Sequence, residues 1–261
     1  MGSRWKLSSW LRQLPEHEEF LSGLQQDALG RRDGVALMRE VDSEDSAVQA
    51  FLIPMIWGYG PVGYGPYRSR RVLDSFKASA RLLEVARIAQ TEGGLDAFNH
   101  IQLQRSTQRD YLKYLGPAFG TKYLYFLTAA VDAVETTPVM DVVVWRWFRK
   151  HVPTTSIDVL HWHAESYASF LRCLRHWSHS LIRDGRMPLG LDDVEYLIFA
   201  AGANFGGNSE WSEEWQREAE PLSISVLLDQ LRVACAVNSA PDSRVTALLD
   251  DLEKVLASKL E

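Results

Sequence analysis

Leu112-Lys113-Tyr114-Leu115-Gly116-Pro117-Ala118-Phe119-Gly120-Thr121-Lys122-Tyr123 reads as a helix, a tight hairpin and a second helix. Pro117 and Gly120 shape the turn, and Thr121 is placed to cap or lead the helix that follows. Such a hairpin aims backbone N–H groups and a helix N-terminus at an anion, so it can hold a phosphate without reading a base sequence. Taken alone, a plain helix–helix turn explains the same residues. Further along, Thr137-Pro138-Val139-Met140-Asp141-Val142-Val143-Val144-Trp145 is a proline turn running into an apolar helix. Asp141 is its one carboxylate, and a carboxylate among hydrophobic neighbours is costly unless it is hydrogen-bonded or put to use. It can be the N-cap of its helix, a role compatible with chemistry.

Around this centre helical periodicity dominates and alternating strands are scarce, which predicts a mainly α chain. Helices are expected over Ser43–Trp57, Arg70–Thr91, Phe119–Val134, Asp141–His151, Ser156–Arg183, Leu191–Ala203, Ser209–Ala219, Ser223–Val237 and Asp242–Leu260. Pro54 should kink or end the first of these. In the second, Val72, Phe76, Ala80, Leu83, Val85 and Ala86 share the apolar side, and Gly93-Gly94 ends it. Between the first two lies Gly58-Tyr59-Gly60-Pro61-Val62-Gly63-Tyr64-Gly65-Pro66-Tyr67-Arg68, a duplicated Gly-Tyr-Gly-Pro unit expected to be a loop. Its glycines would let backbone approach a ligand closely, and its tyrosines could stack on unpaired bases or fill the gap left by a displaced one. An ordered, tyrosine-packed connection is the plainer alternative.

Composition sets further bounds. With 46% hydrophobic and 24% charged residues the chain is neither disordered nor fibrous. The net charge of -6 is not that of a strongly basic nucleic-acid binder. What such binding needs is local, however, and cations do gather: Arg68, Arg70, Arg71 and Lys77 in one stretch, and Lys113, Lys122, Arg146, Arg149, Lys150 and His151 in another. Acids collect elsewhere, at Glu16–Glu19, Glu210–Glu220 and Asp250–Glu253. Two distant cysteines, Cys173 and Cys235, cannot hold a four-cysteine iron–sulfur cluster and suit a reducing cytoplasm. With no apolar run long enough to span a bilayer and no signal-peptide core in Met1–Gln13, a soluble cytoplasmic protein is expected. There is no phosphate-binding Walker loop, no zinc spacing and no Gly-x-Ser-x-Gly elbow, and His161-Trp162-His163 lacks the spacing of a helical metal pair.

The combination of a hairpin lysine with the carboxylate of a Pro-Val-x-Asp turn 19 positions later resembles the helix-hairpin-helix DNA glycosylases, specifically their 8-oxoguanine branch. The likeness covers roughly residues 107–151, and it has two departures: Ala118 stands where the family hairpin has its first glycine, and Met140 separates Val139 from Asp141. The resemblance implies an all-α, two-lobed fold with the active cleft between lobes. Residues 43–106 would form a helical lobe, 107–151 the hairpin and aspartate segment, and 152–261 the helices completing a base pocket.

It further implies a monomeric enzyme, without metal or other cofactor and without membrane contact, that flips a modified base out of double-stranded DNA and cleaves its N-glycosidic bond. Lys122 carries over as the nucleophile, with strand nicking by a lyase step as a possible sequel, and Asp141 as the carboxylate beside the sugar. Pro117, Phe119, Gly120, Thr121, Arg68, Arg70 and Arg146 would hold DNA, and Tyr59, Tyr64 and Tyr67 would plug or line the vacated stack. A weaker likeness at Asp193-Val194-Glu195-Tyr196-Leu197-Ile198-Phe199 makes Glu195 the reader of the extruded base and Phe199 its stacking partner. The alternative there is a capped amphipathic helix with Phe199 in the core.

An ionised Glu195 only accepts hydrogen bonds, which suits cytosine's amine or guanine's N1–H and N2–H. Stand-alone helical relatives of this branch occur in bacteria, some linked to defence against phages, so the resemblance narrowly favours glucosylated hydroxymethylcytosine over 8-oxoguanine. Two other classes fit the same residues: a non-catalytic helix-hairpin-helix DNA-binding module, in which Lys122 touches phosphate and Asp141 is only a cap, and a helical interaction scaffold.

Overall fold

The computed structural model describes residues 2–24, 29–61, 63–183 and 189–202, and helices dominate them. A two-residue strand, β1 (Gly2–Ser3), pairs antiparallel with β2 (Leu29–Gly30). The helices are α1 (Leu7–Leu11), α2 (Glu18–Gly23), α3 (Arg31–Ala36), α4 (Glu44–Tyr59), α5 (Tyr64–Leu73), α6 (Ala78–Thr91), α7 (Gly94–Thr107), α8 (Pro117–Ala129), α9 (Val142–His151), α10 (Ala164–Arg183) and α11 (Leu191–Gly202). The helices expected over Ser209–Ala219, Ser223–Val237 and Asp242–Leu260, together with Cys235, lie outside the described residues.

Contacts divide the chain into two compact units, one of Met1–Asp141 with Asp158–Ala164, the other of Val142–Ile157 with the described residues from Glu165 onward. In the first, α4, α6, α7 and α8 pack on one another around α4 and α8. Both central helices are apolar on nearly every side, the pattern of a helix enclosed by neighbours rather than lying on a surface. Residues 50–56 of α4 and 120–128 of α8 are all buried. In the second unit α9 packs on α11. Phe148 of α9 also meets Phe170 and Trp177 of α10, at 5.5 and 5.6 Å between ring centres.

Several expectations change at the element boundaries. Ser43 caps α4, its Oγ accepting from the Ser46 amide at 3.2 Å, and Pro54 does not end that helix, which runs on to Tyr59. Gly58–Arg68 is therefore not one loop. Gly60, at φ 54°, stops α4. Gly65 and Pro66 fall in the first turn of α5, where a missing N–H costs nothing because no intrahelical acceptor exists there. The long helix expected over Arg70–Thr91 is broken after Leu73, and Lys77 takes a left-handed conformation at φ 52°. Phe76, placed by periodicity on the apolar side, is 68% exposed as a result. The helix expected from Ser156 begins only at Ala164, because the preceding turn belongs to the first unit and sends Trp162 against α8.

That last contact fixes Gly120. A Cβ there would stand 2.2 Å from the Trp162 ring, a clash with a rigid group that a packed helix cannot relieve by rotation. Gly120→Ala is expected to lower unfolding free energy by about 1–3 kcal/mol, the usual cost of overpacking, read from denaturant midpoints at unchanged slope.

Candidate active site

The hairpin is held from behind. Arg105 of α7 donates to the carbonyls of Tyr111, Leu112 and Leu115 at 3.0, 2.5 and 2.8 Å. Trp162 adds its indole N–H to the Leu115 carbonyl at 3.1 Å and lies under the Arg105 guanidinium at 5.4 Å. Burial pushes Arg105 down to about 10, still cationic at neutral pH. Leu112 and Tyr114 are left-handed, with φ of 43° and 76°, a conformation that costs a side-chain-bearing residue on the order of 1–2 kcal/mol. The three inward-turned carbonyls on Arg105 offset that cost. Gly116 is the N-cap of α8 and Pro117 its first residue, with no side chain capping the helix. Gly120 and Thr121 thus lie inside α8 rather than in the turn, a correction to the sequence reading.

Thr121 does not cap the helix; it ties two segments together. Its hydroxyl accepts from the Met140 amide at 3.0 Å and reaches the Met140 carbonyl at 3.3 Å. Next to it, Lys122 Nζ lies 2.8 Å from Asp141 Oδ2, with side-chain exposures of 8% and 13%. Asp141 directly precedes α9, as a cap residue would. Lys122 is further enclosed by rings: Nζ is 5.9 Å from the Trp57 ring centre and 5.5 Å from that of Phe119. Such walls exclude water and strengthen any charge interaction inside them.

The Gly-Tyr-Gly-Pro segment builds the third wall. Gly58 is the point where α4 touches the lysine, since a Cβ there would be 2.8 Å from Lys122 Cδ and 2.9 Å from Phe119. Tyr59 stacks on Phe119 at 4.0 Å and 16°, and a Cβ at Gly65 would strike the Tyr59 ring at 2.6 Å. Burial raises the Tyr59 phenol above its ordinary value, against the opposing pull of Arg68. Of the residues singled out in the sequence, Lys122, Asp141, Phe119, Thr121 and Tyr59 therefore come together.

The other residues singled out in the sequence have surroundings of their own. Tyr64 and Tyr67 are exposed, 5.6 Å from each other, and Arg68 lies over Tyr64 at 5.5 Å. Arg70 is engaged with Glu16 and Asp74, each at 2.8 Å. In the second unit, Arg146 is exposed on α9, while α11 carries Glu195, fully buried, and Phe199, half-buried. Sequence reasoning missed Trp57, Gly58, Arg105 and Trp162. Gly58 carried a signal, as the first residue of the duplicated glycine motif. Arg105 and Trp162 carried none, being tied to the hairpin only through the fold. Among the described residues no group of three His, Cys, Asp or Glu is placed to hold a metal, and no helix is long and apolar enough to cross a membrane.

Replacing Arg105 with methionine would remove the charged donor from three carbonyls, of which that of Leu115 keeps the Trp162 indole and that of Leu112 the Leu115 amide. A loss of roughly 2–4 kcal/mol is expected from chemical denaturation, larger than for Arg105→Lys, which keeps a cation but not the fork.

Residues 1–199 match the family described as "Putative 8-oxoguanine DNA glycosylase OGG-like protein". No curated protein and no solved structure matches the chain. The match spans most of the sequence and includes the whole Lys122–Asp141 region, and the chain is a member of the OGG-like DNA glycosylase family.

Proposed function

We propose that this glycosylase removes a modified base through Lys122 and Asp141. The observation that carries the reading is their 2.8 Å approach inside an aromatic enclosure beside an uncapped helix N-terminus. The amides at the start of α8 would receive a DNA phosphate, which sets the register of the strand. Breaking the glycosidic bond develops positive charge on the sugar, and Asp141 would stabilise that charge more than it stabilises the bound substrate. The C1′–N bond breaks with its electron pair going to the base, which gains a proton. Nζ, having shed one, bonds C1′, and opening of the sugar ring gives an imine. A later elimination from that imine would nick the strand.

For the base itself, an ionised Glu195 reached by the base would accept from guanine's N1–H and N2–H at two points and from the amine of cytosine at one. Together with the family description this supports oxidised guanine as the substrate. Glucosylated hydroxymethylcytosine, with a role in defence against phages, is the second reading. It draws on the match of a carboxylate acceptor to the amine of cytosine. Phe199 would stack on the flipped base.

Borohydride in the presence of DNA bearing each modified base should trap a covalent adduct that Lys122→Gln abolishes. DNA binding with no base released from any of these substrates would instead leave a non-catalytic binding module. Asp141→Asn is expected to retain DNA affinity and to slow base release by about 10²–10³-fold, since it removes charge at nearly constant volume. Near-normal turnover in that variant would take Asp141 out of the chemistry.

A further inference from the structure

Outside the Lys122 enclosure, the first unit carries four well-exposed aromatic rings: Tyr64, Tyr67, Phe76 and Tyr114, at 53, 44, 68 and 39%. Rings of this size are normally covered, so a group of them in the open calls for an occupant. Three of the four have a cation against the ring. Arg68 lies over Tyr64 at 5.5 Å, and Arg71 lies over Tyr114 at 4.5 Å and hydrogen-bonds its hydroxyl. Lys113 approaches Tyr114 at 5.7 Å. Lys77 and Arg81 flank Phe76 at 5.4 and 5.6 Å. Arg71 also acts electrostatically on Tyr67.

The arrangement follows from local backbone. Tyr64, Tyr67, Arg68 and Arg71 recur at helical spacing on one face of α5. The left-handed turns at Lys77 and Tyr114 belong to the segments that leave Phe76 and the Tyr114 ring exposed. Residues 64–81 hold five Arg or Lys and one acid, Asp74, in a chain whose net charge is -6. Along this stretch the chain is locally basic, with Arg70 engaged by Glu16 and Asp74, while Lys113 beside Tyr114 is paired with Asp110 at 3.1 Å.

Cations alone would suit any polyanion. The rings decide between forms of DNA, because a duplex presents sugar and phosphate outward and keeps its base faces covered by stacking, whereas unpaired nucleotides offer those faces. We infer that the aromatic–cationic face formed by α5, Phe76–Lys77 and Tyr114 binds an unpaired DNA strand flanking the target, so that the preferred substrate is single-stranded or locally opened DNA. The inference rests on the reading of this chain as an enzyme acting on DNA, and adds the strand state that it selects.

Fluorescence anisotropy with the full chain tests it, using an unmodified single strand of about 16 nucleotides and the blunt duplex of the same sequence at one salt concentration. The single strand is expected to bind at least about tenfold more tightly. Combining Phe76→Ser with Tyr114→Asn, the asparagine chosen because it tolerates a left-handed backbone, should lower single-strand affinity about tenfold or more and leave duplex affinity and melting temperature in place. Equal affinity for the two forms, binding of neither, or a double variant with undiminished single-strand affinity would overturn the inference. These probes contain no modified base and do not engage Lys122 chemistry. A strand preference that persists without base release would therefore sink the catalytic reading alone, and base release without the preference would sink this one alone.

Discussion

A lysine whose stem is shut in by rings must end on something that answers its charge, and in this molecule that something is Asp141. The pair is short-range in space but 19 residues apart in sequence, so α8 and the turn before α9 have to be locked in register. Thr121 does this from the adjacent position, with one hydroxyl bonded to both backbone groups of Met140. The glycines answer the same demand from outside: α8 is approached at Gly58 by α4 and at its own Gly120 by Trp162, closer than any side chain would permit. An ion pair this enclosed is seldom a source of stability, because desolvation offsets most of the attraction. The packing around it holds a charge separation that folding does not require.

The duplicated Gly-Tyr-Gly-Pro segment is the clearest case of one composition serving two ends. Its first half closes around Lys122 through Gly58 and Tyr59, while its second half starts α5 and turns Tyr64 and Tyr67 outward. Gly60 divides the two by breaking the helix at a positive φ. Buried and exposed tyrosines thus follow one another within a few residues, with opposite surroundings and different chemistry open to each.

How much of this was readable beforehand depended on range. The mainly helical class and the stop at Gly93-Gly94 rest on neighbours a few residues apart, and they were legible; the helix expected to lead into the hairpin at Leu112 is instead a left-handed turn, and α7 before it was not expected. Legible too was the pairing of Lys122 with Asp141, through its resemblance to a known pattern. The break at Lys77 was not, because lysine gives no compositional warning of a left-handed turn and the periodicity of α6 runs backward smoothly through Phe76. That α4 would not stop at Pro54 was only partly legible, in the helical pattern running on to Trp57; burial among neighbouring helices outweighs one missing hydrogen bond. Arg105 and Trp162 depend on the tertiary fold, and nothing in their own surroundings of sequence marks them.

The left-handed residues of the hairpin have a thermodynamic consequence. Leu112 and Tyr114 are held in disfavoured conformations by a guanidinium already engaged with the carbonyls behind them. Little backbone freedom then remains for this turn to lose. Any ligand that settled on its backbone would draw on entropy already lost during folding, and its hold would depend less on temperature-driven loosening than it would on a flexible turn.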